Sequence, residues 1–266
     1  ARGARIIGLA GAPGSGKSTL AARLAQSVSD RGQSGAPGGG SGGRGGGRCD
    51  AGDGGGDTGS AIAVAVSIDD FYLPRRRRLA LAGQVHPLLA TRGVPGTHDL
   101  PLLLDVLLRV RSRRPVRLPV FDKCRDDRLP PQHWRRFQRI DLLILEGWCI
   151  GARAQPAALL AEPVNALEAD EDPDARWRTH ANQALAGGYT RAWAMLDGLA
   201  LLAAPDWETI PRWRAEQERH IGGPMNGAAI ARFCAHYERL TRWQLATTPR
   251  HAGLVLRLDR SRRVRP

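Results

Sequence analysis

The stretch Gly11-Ala-Pro-Gly-Ser-Gly-Lys17-Ser18-Thr19 decides the fold of this chain. It follows the apolar run Arg5 to Ala10 and precedes a helical pattern from Thr19 to about Ser29, so the order is strand, glycine-rich loop and helix. A glycine-rich backbone can turn its N–H groups inward around a phosphate, and the start of the next helix adds the positive end of its dipole. Lys17 then reaches the outer phosphates, and the Ser18 hydroxyl is offered to Mg²⁺. The pattern therefore predicts a site for ATP and Mg²⁺.

The predicted nucleotide site comprises the whole loop and the first residues of the helix. Its members are Gly11, Ala12, Pro13, Gly14, Ser15, Gly16, Lys17, Ser18 and Thr19. The alternative is a glycine-rich turn that arises by chance, but the complete G-x-x-x-x-G-K-S pattern between a strand and a helix favours nucleotide binding.

Composition limits the class of protein. The 266 residues are enough for one substantial α/β domain, which we expect to span 1–266. The longest apolar runs, Leu100 to Leu108 and Ile140 to Leu145, are too short to cross a bilayer, and no signal peptide is visible, although the chain begins at Ala1. The four cysteines form no C-x-x-C pair. We therefore expect a cytoplasmic protein without a zinc site, a disulfide framework or a membrane partner.

The net charge of +13 raises the question of nucleic-acid binding. The positive charge is almost entirely arginine scattered along the chain, and no basic stripe with interleaved aromatic residues stands out, so we expect no nucleic-acid partner. Lys17 and Lys123 are the two lysines, and each lies in a motif, which suggests that a compact ammonium is needed there.

Five apolar runs predict the strands. They are Ile6 to Ala10, Ala61 to Ser67, Ile140 to Glu146, Gly198 to Ala203 and Gly253 to Leu258. Helical stretches separate them, so the pattern predicts an α/β fold with a parallel sheet of about five strands. The segment at about 32–60 is dominated by glycine and predicts a flexible insertion.

Three helix starts are visible in the second half of the chain. Asp172-Pro173 predicts the start of a long helix to about Leu196, with a kink or break at Gly187-Gly188. Pro211 predicts a helix from Arg212 to Ile221, and Asn226 predicts the cap of a helix from Gly227 to Arg239.

Carboxylates follow two of the predicted strands. In a parallel sheet the carboxyl ends of the strands face the ligand crevice, so Asp69, Asp70 and Glu146 should lie near the phosphates. Adjacent residues on an extended chain point to opposite sides, which predicts that Asp69 alone reaches the reacting centre, as a proton acceptor or through Mg²⁺. Glu146 is predicted to hold the Mg²⁺ shell with Ser18 and Asp69. The alternative for Asp69 and Asp70 is a pair of solvated turn carboxylates.

Two loops between these strands carry the candidate substrate residues. The turn Arg92-Gly-Val-Pro-Gly-Thr-His98-Asp99 is rigid, and the segment Pro119 to Arg128 mixes cations and acids in a way that suits a small anionic substrate. The alternative is a surface turn and an exposed ion-pair cluster. The predicted substrate-binding residues are Asp70, Tyr72, Arg92, His98, Asp99, Asp122, Lys123 and Arg128. The run Arg75 to Arg78 predicts a solvated helix start.

The motifs GAPGSGKST, SIDDFYLP, RGVPGTHDL, PVFDKCRDDR and ILEGWCIG, with Trp213 to Glu218, resemble the D-glycerate 3-kinase family and its bacterial relatives. That family belongs with uridine kinase, phosphoribulokinase and bacterial pantothenate kinase among the P-loop kinases. The resemblance implies a three-layer αβα sandwich and transfer of a phosphoryl group from ATP to an alcohol. It implies that Asp69 serves as the base, that Glu146 occupies the second acidic position, and that a lid helix supplies the catalytic arginines Arg214 and Arg219.

The sequence thus predicts an ATP- and Mg²⁺-dependent kinase for which D-glycerate is the preferred acceptor. Lys17 and the loop hold the β- and γ-phosphates and Asp69 orients the acceptor hydroxyl. The rival acceptors are a nucleoside, pantothenate or another sugar acid. A rival from another class is a nucleic-acid-dependent ATPase or a GTP switch, but the chain contains no N-K-x-D guanine motif. The oligomeric state is left open.

Overall fold

The computed structural model describes residues 5–34, 61–220 and 222–265. The predicted insertion lies almost entirely outside these ranges. Within them the chain forms a central parallel sheet in the order β2-β7-β1-β8-β9. Its strands are β1 (Arg5–Gly11), β2 (Ala63–Ser67), β7 (Leu142–Gly147), β8 (Gly198–Ala203) and β9 (Leu254–Arg257). The prediction of about five parallel strands is confirmed.

Helices cover both faces of this sheet, because its strands are apolar on both sides. Ile6, Leu143 and Leu145 belong to one buried cluster, together with residues of α3 (Leu100–Arg111). Leu9, Ile144 and Leu202 belong to a second buried cluster, together with residues of α1 (Lys17–Ser34) and α7 (Thr209–His220). The alternation of neighbouring residues between the two clusters confirms the αβα sandwich.

The remaining helices are short, with one exception. They are α2 (Arg75–Gln84), α4 (Ala166–Glu171), α5 (Arg176–Ala184), α6 (Thr190–Trp193) and α8 (Gly227–Thr247). Two small antiparallel sheets, which the sequence did not predict, lie between β2 and β7. They pair β3 (Val116–Leu118) with β6 (Arg135–Phe137), and β4 (Phe121–Asp122) with β5 (Asp127–Arg128).

The predicted helix start at Asp172-Pro173 is wrong. Asp172 ends α4, and α5 begins at Arg176 after a left-handed residue, Ala175 (φ 59°). The Asp172 carboxylate nevertheless accepts hydrogen bonds from the backbone N–H groups of Trp177 and Arg178 at 2.7 and 3.1 Å. The Asp172 side chain therefore caps the first turn of α5, although Asp172 lies several residues before the helix and a usual N-cap residue lies directly before it.

Other helix predictions are closer to the structure. Asn226 caps α8 by accepting a hydrogen bond from Ala229 N at 2.9 Å, but the helix continues to Thr247 and not to Arg239. The predicted break at Gly187-Gly188 is confirmed, because Gly187 has non-helical angles (φ −95°, ψ −106°) within a π-helical turn from Leu185 to Tyr189. In the part of the chain that the structure describes, no helix combines the length and the apolar character needed to cross a membrane.

Candidate active site

The glycine-rich loop lies between β1 and α1, at the carboxyl edge of the sheet. Gly14 and Gly16 have φ angles of 76° and 88°, which glycine adopts at little cost and other residues rarely adopt. Ser15 N donates to Ala12 O at 3.1 Å and closes the turn, and α1 begins at Lys17. The loop has the backbone form that lets N–H groups converge on a phosphate.

Ser18 and Glu146 meet beside this loop. The Ser18 hydroxyl donates to Glu146 Oε1 at 2.8 Å, and Glu146 is buried near the end of β7, paired in register with Leu9 of β1. Glu146 Oε2 is buried and has no hydrogen-bond partner among the described residues. A buried carboxylate oxygen that accepts no hydrogen bond is a suitable ligand for a hard cation. The serine hydroxyl beside it supplies a second oxygen. These two side chains therefore fit Mg²⁺.

Asp69 lies in a one-turn 3₁₀ helix, Ile68–Phe71, that directly follows β2. The interpretation that Asp69 and Asp70 alternate along an extended strand is therefore wrong. The two carboxylates still separate. Asp69 accepts from Tyr72 OH at 2.9 Å and from Lys123 Nζ at 2.7 Å, whereas Asp70 accepts from the backbone N–H of Phe121 at 3.2 Å.

The surroundings shift the pKa values of these two acids in opposite directions. Burial alone would raise the pKa of Asp69, but the ammonium groups of Lys123 and Lys17 and the Tyr72 hydroxyl lower it to about 2. Burial raises the pKa of Asp70 above its usual value. Asp69 is thus held as an anion next to the predicted γ-phosphate lysine. Both carboxylate oxygens of Asp69 already accept hydrogen bonds, one from Tyr72 and one from Lys123. Asp69, the third predicted metal ligand, is therefore paired with Lys123 in this structure.

His98 is buried and contacts Tyr72, whose hydroxyl donates to Asp69. It forms a β-bridge with Tyr72, and the two rings stack with centroids 4.6 Å apart. Its Nδ1 lies 2.5 Å from the hydroxyl of Tyr189. Burial lowers the pKa of His98 to about 4, although the charge of Asp69 opposes this, so the ring is neutral at pH 7. The turn that carries His98 is therefore buried, and the alternative of a surface turn is wrong.

Asp99 and Arg128 form an ion pair between the two predicted substrate loops. Arg128 Nη1 donates to Asp99 Oδ2 at 2.9 Å, and Asp99 Oδ1 also caps α3 by accepting from Leu102 N at 3.3 Å. Arg92 pairs with Asp126 and lies over the ring of Phe121. These contacts join the two loops that carry the predicted substrate residues.

The β4–β5 hairpin carries Lys123 at its tip. Asp122 accepts from the backbone N–H groups of Cys124 and Arg125 at 2.9 and 3.1 Å, so its carboxylate holds the turn. The Lys123 side chain is exposed apart from its contact with Asp69. Of these two predicted substrate residues, Lys123 is the one that contacts Asp69.

The predicted lid arginines lie on α7. Arg214 is paired with Glu218 at 2.7 Å and lies over the ring of Phe233 of α8, so it joins α7 to α8 in this structure. Arg219 is exposed near the end of the helix. The helix itself packs directly on the phosphate loop, because a Cβ added at Gly14 would lie 2.8 Å from Cβ of Trp213.

Two arginines that the sequence reasoning missed hold the site together. Arg78 is 1% exposed, and its guanidinium donates to the carbonyl oxygens of Leu73, Ala90 and Asp126. The interpretation of the whole Arg75 to Arg78 run as a solvated helix start is therefore wrong for its last member. Arg262 donates to Gly14 O at 2.7 Å and pairs with Glu216 of α7. Nothing in the local sequence separates these arginines from their exposed neighbours.

The arrangement of loop, helix and strand-end carboxylates can be compared with known proteins. A search of solved structures finds D-glycerate 3-kinase from Cryptococcus neoformans, with a TM-score of 0.75 and 22% identity, covering 99% of this chain and 89% of that one. The YGR205w protein covers 100% of this chain and 89% of its own, with a TM-score of 0.70 and 22% identity. The chain has the fold of the P-loop kinases.

Curated proteins give the same class. The chain is 27% identical over 252 residues to the uncharacterized kinase mug58 of Schizosaccharomyces pombe, covering 87% of this chain and 78% of that protein. A shorter match, 40% identical over 97 residues, covers 32% of this chain and 33% of the probable ATP-dependent kinase TDA10 of Saccharomyces cerevisiae. No protein-family model matches the chain. The predicted resemblance to a D-glycerate 3-kinase is confirmed for the fold, and the predicted class, an ATP-dependent kinase, is supported.

Proposed function

We propose that this protein transfers the γ-phosphoryl group of Mg·ATP to the primary hydroxyl of a small hydroxy acid, and that D-glycerate is the preferred acceptor. The observation that carries the proposal is the contact of Lys123 with Asp69 at 2.7 Å, on the acceptor side of a P-loop site. A cation at this place can pair with the carboxylate of the acceptor while the neighbouring acid receives the hydroxyl proton.

The nucleotide side rests on the glycine-rich loop, Lys17, Ser18 and Glu146. The loop N–H groups and Lys17 would bind the β- and γ-phosphates, and Ser18 and Glu146 would hold Mg²⁺, which neutralises charge on the transferring group. Arg219 is exposed on the helix that packs against Gly14, so we propose that it closes over the phosphates. Arg214 would take part only if its contact with Glu218 opens.

The acceptor side rests on Asp69, Tyr72 and Lys123. Asp69 would orient the acceptor hydroxyl and receive its proton, held in place by the Tyr72 hydroxyl. Lys123 carries a positive charge at the tip of an exposed hairpin, where it can exchange Asp69 for a substrate carboxylate. The structural neighbour named D-glycerate 3-kinase supports this choice of acceptor.

Short matches also exist to bacterial pantothenate kinases. The chain is 41% identical over 61 residues to the Xanthobacter autotrophicus enzyme, covering 23% of this chain. Pantothenate carries both a carboxylate and a primary hydroxyl, so the cations described above would suit it as well. It is the second candidate acceptor.

The test is an ADP-release assay with Mg·ATP and D-glycerate, pantothenate, uridine or no acceptor. D-Glycerate should give the highest kcat/KM, and mass spectrometry of the product should show one added phosphoryl group. Lys17→Ala is the matched control, because loss of the ammonium at the γ-phosphate should abolish turnover and leave the melting temperature unchanged. Turnover of pantothenate or uridine without turnover of D-glycerate would refute the acceptor and leave the kinase class standing.

A further inference from the structure

His98 and Tyr189 form a buried hydrogen-bonded pair that the proposed chemistry does not yet use. Tyr189 is 0% exposed and His98 is 4% exposed, and the Tyr189 hydroxyl lies 2.5 Å from His98 Nδ1. The two residues are 91 positions apart in the chain, so the contact depends on the tertiary fold.

An irregular turn places Tyr189 at this point. Leu185 to Tyr189 form a π-helical turn with non-helical angles at Gly187, and such turns are frequent at functional sites. Gly188 lies so close to Leu100 of α3 that an added Cβ would be 2.6 Å from Leu100 Cδ1. The turn is thus held against the helix that follows His98 and Asp99.

The hydrogen bonds of Tyr189 determine which nitrogen of His98 carries the proton. The backbone N–H of Gly96 donates to the Tyr189 hydroxyl oxygen at 3.1 Å. The hydroxyl keeps its own proton to donate, and Nδ1 of His98 is in reach. Were Nδ1 the donor, the buried tyrosine proton would lose this acceptor, which costs free energy. Because burial keeps the ring neutral, with a pKa of about 4, Nε2 then carries the one ring proton.

This Nε2–H group is a buried donor without a partner among the described residues. The ring that carries it stacks on Tyr72, whose hydroxyl donates to Asp69 at 2.9 Å. Buried donors without partners are rare in folded proteins, and one beside a catalytic carboxylate has a natural partner in a bound substrate. An oxygen atom is the kind of ligand atom that it can bind.

We propose that Tyr189 is a positioning residue that holds His98 in the Nε2–H tautomer, so that His98 donates a hydrogen bond to an oxygen of the phosphoryl acceptor. The inference rests on the proposed kinase function. It adds a specificity-determining pair: a neutral donor suits a hydroxyl or carboxylate oxygen.

The first experiment measures the tautomer and needs no activity. Long-range proton–nitrogen NMR correlations on protein labelled with ¹⁵N-histidine report which ring nitrogen is protonated, and His98→Gln identifies the His98 signals. The wild-type protein should show the Nε2–H tautomer, and Tyr189→Phe should shift the ring toward the Nδ1–H form. A wild-type Nδ1–H tautomer would overturn the inference.

The second experiment is kinetic. Tyr189→Phe should raise KM for D-glycerate about tenfold, the factor that corresponds to one hydrogen bond, and change kcat less than about twofold. Thr190→Val is the matched control, because it removes the hydroxyl of the next residue, which donates to Leu185 O of the turn at 2.8 Å. An equal rise of KM in both variants would mean that the turn matters only structurally, and the inference would be overturned.

A double-mutant comparison separates the role of the pair from simple packing. The side-chain amide of His98→Gln can supply a donor near the Nε2 position without help from Tyr189. Adding Tyr189→Phe to His98→Gln should therefore change KM less than about twofold. If the wild-type protein phosphorylates no acceptor, the proposed function fails, and the NMR measurement still decides whether Tyr189 sets the tautomer.

Discussion

Arg78→Met should destabilise the protein by about 3 kcal/mol, because Arg78 joins three segments that carry the acceptor side. Its guanidinium donates to Leu73 O at 3.1 Å, to Ala90 O at 2.7 Å and to Asp126 O at 2.6 Å. Leu73 follows the Asp69 turn, Ala90 precedes Arg92, and Asp126 lies in the hairpin that carries Lys123. Methionine can fill much of the volume but donates no hydrogen bond.

The magnitude follows from what the substitution leaves behind. Breaking a buried ionic interaction by removing one partner costs about 3–5 kcal/mol. Here the ionic partner of Arg78 is the Asp126 carboxylate, at 2.9 Å. Asp126 also pairs with Arg92, and its side chain is 33% exposed, so water and Arg92 can partly replace the lost guanidinium. The lower end of the range therefore applies.

Urea unfolding followed by tryptophan fluorescence measures this change, with Arg76→Met as the matched control. Arg76 is exposed on the same helix. Its substitution should therefore change the free energy of unfolding by less than about 0.5 kcal/mol. If Arg78→Met also costs less than about 1 kcal/mol, Arg78 does not hold the three segments. A stable Arg78→Met protein with a raised KM for the acceptor would assign the residue to binding alone.

Four further predictions concern the site and the insertion. Asp69→Asn should lower kcat at least about a hundredfold, whereas Asp70→Asn should act mainly on stability; equal, mild losses of kcat would contradict the assignment of the base. The pKa of Asp69 in the folded protein is lowered to about 2. Its contribution to stability is therefore present above the unfolded-state pKa near 4 and is lost as the pH falls toward 2. The urea midpoints of wild type and Asp69→Asn should converge over that pH interval. Lys123→Met should mainly raise KM for D-glycerate, and an unchanged KM would remove Lys123 from the acceptor site. Replacing residues 35–58 by a short Gly-Ser link should leave kcat/KM and the melting temperature nearly unchanged, since closing a longer loop costs little additional entropy; a large fall in kcat/KM would show that the segment contributes to the site.

The nucleotide side could be predicted from the sequence because its signals are local. A strand, a glycine-rich loop and a helix start follow one another within Arg5 to Ser34, and each element has its own pattern. The acceptor side could be predicted only as a set of residue types. Arg78 shows why: four consecutive arginines look alike, and the burial of one depends on carbonyl groups near positions 73, 90 and 126, which come together only in the folded chain.

Distance along the chain is not in itself what limits such predictions. Ser18 and Glu146 are 128 positions apart, yet their proximity could be predicted, because parallel pairing of β1 with β7 brings the carboxyl ends of two recognisable strands to the same edge. His98 and Tyr189 are only 91 positions apart, and their contact could not be predicted, because Tyr189 lies in an irregular turn whose direction no repeating pattern defines. We expect the enzyme class to depend on contacts of the first kind, which a sequence pattern reveals, and the choice of acceptor to depend on contacts of the second kind, which form only in the folded chain.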